Sequence, residues 1–182
     1  PDGVRAVFAW SWQLLSAEER RVLRQSSEFR AGFAFNAAQA VTGATPPLLA
    51  RLAEKSLLQW QATASGEGRY TMHELLRQFA AEQLDVAGER AVTEQRHSHY
   101  YMVYLAARGW QLGRAKPTQA SSEIQAELDN IRTAWQWAIA HGQLAELEQA
   151  TYAWWQFCQF QGLGFEGQQS FAVAVDGIRR HL

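Results

Sequence analysis

Cysteine is all but missing: the 182 residues hold one, Cys158, inside the apolar run AWWQFCQF. A single thiol excludes a disulfide framework and fits a reducing compartment, so a cytoplasmic location is expected. Long apolar stretches are also lacking. None reaches the roughly 20 residues that a spanning helix needs, and the N-terminus has no signal-peptide pattern, so no membrane partner is expected. Charge of either sign is not in excess. The formal net charge is −1, which gives no long-range pull toward nucleic acid or an anionic surface. Signatures of catalysis are absent: there is no H-E-x-x-H, no G-x-S-x-G, no C-x-x-C and no G-x-x-x-x-G-K-[ST] phosphate loop. GFAFNAAQAVTG has glycines in the wrong order and no lysine. His97 and His99 lie two apart on a helix and face different sides, so they do not chelate one ion. No reaction, no metal and no cofactor is expected of this chain by itself.

What is present is a core. Apolar residues make up 47% and aromatics 12%, with eight tryptophans, which argues against disorder. The chain opens on PDGVRAVFAWSW, already in a helical pattern and without methionine, and it reads as a piece of a longer protein. Its texture changes near residue 87, which predicts two domains, 1–87 and 88–182, the second truncated at its C-terminus.

In the first, Val4, Val7, Phe8, Trp12 and Leu15 share a helical face. Ser16 and Glu19 have the S-x-x-E spacing of a capping box, so a second helix starts there and buries Val22 and Leu23. A short helix ends at Gly43. Another follows with Thr45 as cap, Pro46 and Pro47 in its opening turn and Leu48, Leu49, Leu52 and Leu57 on its apolar side. Alternation on both sides of Ser65-Gly66-Glu67-Gly68 predicts a hairpin. A last helix is expected from Met72 to Val86. This order is a winged helix with an added N-terminal helix. Residues 88–182 read as four further helices, the second over 121–142, with Gly113, Gly142, Gly162 and Gly164 at or near their junctions. They resemble the start of a tetratricopeptide-like solenoid, with Trp135, Trp154, Trp155, Phe157 and Phe160 between layers. The fold class is therefore mainly α: a winged helix with a small β-hairpin, then antiparallel helical repeats.

A winged helix raises the question of DNA. Its third core helix offers only Arg51 and Lys55, with Glu54 between them, and the wing offers Arg69. Residues 1–86 carry nine Arg and Lys against nine Asp and Glu. Phosphate contacts dominate nucleic-acid affinity, so protein contact is favoured and nucleic-acid binding is expected to be weak or absent.

The stretch RYTMHELLRQF, residues 69–79, holds the remaining candidate. Thr71 and Glu74 have capping-box spacing, which starts the helix at Met72 and places Met72, Leu75, Leu76, Phe79 and Ala80 on a buried stripe. His73 then lies in the first turn, where free N–H groups favour an anion. The same position also suits an ordinary first-turn residue bonded to a neighbouring carbonyl.

YTMHELLRQFAAEQL resembles the methionine-histidine-aspartate motif that ends the winged-helix domain of the signal-transduction ATPases with numerous domains. FAWSWQLLSAEERRVLRQSSEFRAGFAFNAAQAVTG and LLARLAEKSLLQ are similar to the rest of that domain in the family's bacterial regulators. AELDNIRTAWQWAIAHG is similar to the helical repeats that follow, with Asp129-Asn130-Ile131-Arg132 as the recognisable piece. The resemblance implies a nucleotide-controlled switch: the winged helix closes on an ATPase domain of the same protein, which binds ADP or ATP with Mg, and the repeats sense a small-molecule or protein ligand. It assigns the nucleotide phosphate contact to His73; Arg77, one turn on and on a similar face, is by its position a second candidate to assist. The third motif position departs from the family, being Glu74, and the ATPase domain itself is not in this chain. Two other readings stand beside this one: a DNA-binding winged-helix transcription factor, and a helical protein-interaction scaffold.

Overall fold

A computed structural model describes residues 2–62, 68–115 and 117–179. It is mainly helical, with one small antiparallel sheet, and it divides into two compact units, residues 1–97 and 98–182. The division falls inside helix α6 (Arg90–Ala106), beyond the change of texture at residues 87–88. The reason is local. Arg24 holds Glu89 at 2.6 Å, Arg90 holds Glu28 at 2.7 Å, and buried His97 packs on Phe29, so the first turns of α6 belong to the first unit.

The first unit runs α1 (Asp2–Gln13), α2 (Ala17–Gln25), a single 3-10 turn at Ser26–Glu28, β1 (Phe33–Ala34), α3 (Phe35–Thr42), α4 (Pro46–Glu54), β2 (Gln59–Ala62), β3 (Gly68–Thr71) and α5 (Glu74–Val86). This is the winged-helix order, with α1 added in front and α5 behind. The expected capping box on α2 is complete: the Ser16 N–H donates to the Glu19 carboxylate at 2.8 Å, and the Glu19 N–H donates to Ser16 Oγ at 3.2 Å. Thr45 occupies the cap position of α4, but its hydroxyl makes no capping bond, and the two prolines open that helix by themselves.

The sheet has the order β1-β3-β2, with Trp60 opposite Tyr70 and Phe33 also opposite Tyr70. The hairpin was expected; β1 was not, because two residues are too short to show a period of two. The turn expected at Ser65–Gly68 lies, apart from Gly68, outside the described residues. Gly32 makes β1 feasible. Its φ is 94°, and a Cβ there would lie 2.8 Å from the Tyr70 carbonyl oxygen.

Phe29, Phe33, Leu49, Leu52, Leu58, Leu76 and Leu84 form the core of this unit. Phe29 and Phe33 stack at 4.3 Å. From helix α1 the rings of Phe8 and Trp12 meet Phe79 at 6.3 and 5.9 Å. Val7, expected on the same face, is 58% exposed, because the inner side of α1 is as narrow as the two rings that touch Phe79. Arg20 closes the end of α1 by donating to the Trp12 and Gln13 carbonyls at 2.9 and 2.8 Å.

The second unit continues α6 and adds α7 (Pro117–Ala126), α8 (Leu128–Ala140), α9 (Leu144–Phe160) and α10 (Gly164–Arg179), with a short π-helical turn at Gln111–Ala115. A single helix was expected across residues 121–142. It breaks at Glu127, whose buried carboxylate accepts hydrogen bonds from Tyr101 Oη at 3.0 Å and Asn130 Nδ2 at 2.9 Å. Ser98 Oγ donates to the Ala134 carbonyl at 2.9 Å and ties α6 to α8. Trp135, Trp154, Phe157 and Cys158 are interior as expected; Trp155 and Phe160 are not, being 47% and 52% exposed. On α9 they fall a residue or two off the inward stripe of Leu147, Ala150, Trp154, Phe157 and Cys158. Burial pushes the Cys158 thiol up to about 11, so it behaves as a small apolar side chain. Among the described residues no helix is long and apolar enough to cross a membrane.

Glu19, 3% exposed, is a buried carboxylate of the first unit with several partners. Burial by itself pushes its carboxyl up, but hydrogen bonds from Lys55, at 2.8 and 2.9 Å, and from the Ser16 N–H outweigh burial and hold it down at about 2. Its ordinary value is 4.5, so the linked stability is complete above about pH 5 and lost as pH falls toward 2. Glu19→Ala removes the capping box and the Lys55 bond together. Chemical denaturation at pH 7 should show a loss of about 2–3 kcal/mol, shrinking as pH is lowered below 4.

Candidate functional site

Two faces of the first unit carry the sequence's candidates. The helix-turn-helix face is formed by α3 and α4, joined through Gly43, Ala44 and Thr45. Leu48, Leu49 and Leu52 point inward, which leaves Pro46, Pro47, Ala50, Arg51, Glu54 and Lys55 outward. Both cations of this face turn back to Glu19: Lys55 Nζ lies 2.8 Å and Arg51 Nε 3.4 Å from its Oε1. Each still keeps 40% or more of its side chain exposed. Beside them β2 is exposed along its whole length, and Trp60, 55% exposed, lies across Gly68 of the paired strand. Sequence reasoning passed over Trp60; its place between two glutamines in an alternating strand was the available signal.

The second face surrounds the start of α5, and here two expectations are corrected. The helix begins at Glu74, not Met72, and His73 is its N-cap: Nδ1 accepts from the Leu75 N–H at 3.3 Å. Thr71 is not the cap: it is the last residue of β3, opposite Gln59 in the sheet and two residues before the cap position. The later start rotates the buried stripe to Leu76, Phe79, Ala80 and Leu84, and Leu75 becomes 48% exposed. Glu74 does not return to the cap. It accepts two hydrogen bonds from Arg77, both 2.7 Å, and one from Gln78 at 2.9 Å, and these hold its carboxyl at about 2. His73 and Arg77 thus share one turn, with His73 exposed and the Arg77 fork closed on Glu74.

A cleft of about 410 Å³ opens next to this turn, between the loop before β1 and the β3–α5 junction. Ser26, Arg30, Gly32, Met72, Glu74 and Arg77 line it. The Ser26 hydroxyl is buried and has no hydrogen-bond partner among the described residues. Arg77 was singled out in the sequence as an assistant to His73, without this cleft; Ser26 and Arg30 were not singled out, since a loop residue's neighbours are set by how β1 docks. His97 is buried and His99 is exposed, 2.8 Å from Glu146, and the described residues contain no cluster of three or more metal-ligating side chains.

Comparison with known proteins agrees with this architecture. Residues 15–85 match the family model of the winged helix-turn-helix domain. Three curated relatives are 29% identical over 150 residues: one from Mycobacterium bovis and two from strains of Mycobacterium tuberculosis, each bearing the name "Putative HTH-type transcriptional regulator". The match covers 79% of this chain but 17% of each relative, so the chain spans about a sixth of their length. No solved structure matches significantly. The chain therefore contains a winged helix-turn-helix domain and is similar to transcriptional regulators. Nothing in these comparisons points to an ATPase. They return nucleic acid to the candidate partners, against the expectation drawn from charge.

Replacing the cap tests the local geometry. His73→Ala should cost about 1 kcal/mol in thermal denaturation, whereas His73→Asn, which retains an acceptor at the cap, should match or exceed the parent.

Proposed function

We propose that this chain is the winged-helix and adjoining helical part of a longer transcriptional regulator, and that its α3–α4 face contacts DNA. The observation that carries the reading is the match of residues 15–85 to the winged helix-turn-helix domain, in a chain similar to proteins named as regulators of transcription. The open outer face of α4 is where such a domain enters the major groove. Its chemistry sets the strength of the contact. Arg51 and Lys55 share one buried carboxylate, and the unit bears no net positive charge, so few counterions are released on binding. Measured on duplex DNA across a salt series, the logarithmic slope should be shallow, about −2, and Arg51→Ala should reduce it by about one. Absence of binding at low salt, or a slope that Arg51→Ala leaves unchanged, would refute the α4 contact.

A second reading is favoured by a different observation: His73 stands exposed at the start of α5, beside a cleft carrying Arg30 and Arg77. In this reading the winged helix serves as one half of a nucleotide-controlled switch, with His73 and, less directly, Arg77 meeting a phosphate held by an ATPase domain elsewhere in the longer protein. ADP and ATP with Mg would belong to that domain, and neither reading assigns a reaction to this chain. The test is ADP retained by the longer protein on purification. His73→Asn keeps the helix cap, so it should lower retention at unchanged stability; equal retention in parent and variant refutes the switch contact.

A further inference from the structure

The sheet of the first unit ends on an open edge. In the order β1-β3-β2, strand β2 pairs with β3 on one side only. An antiparallel strand turns half of its backbone N–H and C=O groups to each side, so the outer side of Gln59–Ala62 presents a row of them. Among the described residues no hydrogen bond reaches that side. All four side chains of β2 are exposed, so neither face of the strand is covered.

Such an edge is usually blunted. Lysine, proline, an inward charge or a bulge keeps a second strand from adding to it. Strand β2 has none of these: it holds only Gln59, Trp60, Gln61 and Ala62, and its register runs unbroken from Gln59 opposite Thr71 to Ala62 opposite Gly68.

What the edge carries instead is a ring. Phe33, Tyr70 and Trp60 lie in register across the three strands, which puts their side chains on one face of the sheet. Phe33 is 1% exposed and stacks on Tyr70 at 5.9 Å, whereas Trp60 is 55% exposed. The aromatic row thus runs from the core to solvent and stops at the edge. The indole is held there by Gly68, where a Cβ would fall 2.1 Å from its Nε1.

Symmetry identifies the partner. Residues 59–61 read Gln-Trp-Gln, the same in both directions. When two such strands run antiparallel about a two-fold axis at Trp60, each Trp60 meets its counterpart, and Gln59 of either copy meets Gln61 of the other. The aromatic row then continues into the second sheet on one face, and glutamine amides, which both donate and accept, pair on the other. An unrelated strand would gain the backbone bonds without this match. We propose that β2 is a self-pairing edge: two copies of this chain join through antiparallel β2 strands centred on Trp60 and form one continuous sheet. The pairing uses neither the outer face of α4 nor the start of α5, so it holds under either reading of the winged helix.

Four residues a side bury little area, so the association is weak. Sedimentation equilibrium of the whole chain should show monomer and dimer exchanging with a dissociation constant on the order of 100 μM. Trp60→Lys should weaken this by about tenfold or more, and Trp60→Phe by less. Trp10→Lys, at a position on α1 that is 64% exposed, should leave it unchanged. Mixing Gln59→Cys and Gln61→Cys chains under mild oxidation reads the register, because Cys158 is buried and stays out of the reaction. Opposite residues lie about 5 Å apart and can be bridged, whereas residue 59 and its own counterpart are about 8 Å apart and cannot. The mixture should therefore yield far more disulfide-linked dimer than either variant alone. A chain that stays monomeric into the millimolar range would overturn the pairing. So would association that Trp60→Lys leaves intact or Trp10→Lys abolishes, or cross-linking no better in the mixture than in the single variants. Circular dichroism of each variant separates a blocked edge from a lost fold.

Discussion

The winged-helix unit turns on one buried carboxylate. Glu19 caps α2 through its own backbone and side chain, and the same two oxygens receive Lys55 and Arg51 from the far end of α4. A charge taken out of water is tolerated only when it is paired and hydrogen-bonded, so the position of α4 is coupled to the start of α2. The apolar residues between them, Val22 and Leu23 on one side and Leu49 and Leu52 on the other, supply the burial energy without dictating this register. The ion pairs supply the direction.

That same arrangement sets what the helix-turn-helix face can do. A helix that reads DNA needs cations free to meet phosphates. Here both outward cations of α4 are shared with the scaffold, each leaning on Glu19 while keeping a large part of its surface in solvent. Structural and ligand-facing roles therefore draw on the same two side chains, and any contact made by this face competes with the bond that holds α4. At the start of α5 the division is different. Glu74 takes the Arg77 fork, and His73, the cap itself, remains exposed.

Much of the fold was legible in the residues. The S-x-x-E box, the prolines opening α4 and the alternating strands around a glycine-rich turn are local signals, and the structure bears out the elements they announce. Two of the failures have a cause in common. Thr71-x-x-Glu74 has the spacing of a cap, but Thr71 stays in β3 opposite Gln59, so the helix starts later and His73 takes the role. The helix expected across residues 121–142 breaks because Glu127 serves Tyr101 and Asn130. Trp155 and Phe160 have the composition of core residues but lie off the inward stripe of α9. In the third case the local stripe of α9 set the outcome; in the first two a partner distant in sequence did. The cleft residues Ser26 and Arg30 were invisible for the same reason: they become neighbours of Arg77 only when β1 pairs with β3.

Sequence alone therefore settled the type and order of most elements, β1 and the break at Glu127 excepted, because apolar periodicity and capping chemistry act over three or four residues. It also placed His73 at the positive end of a helix. Tertiary structure decided the partners of the buried carboxylates: Lys55 and Arg51 for Glu19, and Tyr101 for Glu127. Those outcomes depend on distances between residues far apart in the chain, which periodicity does not encode.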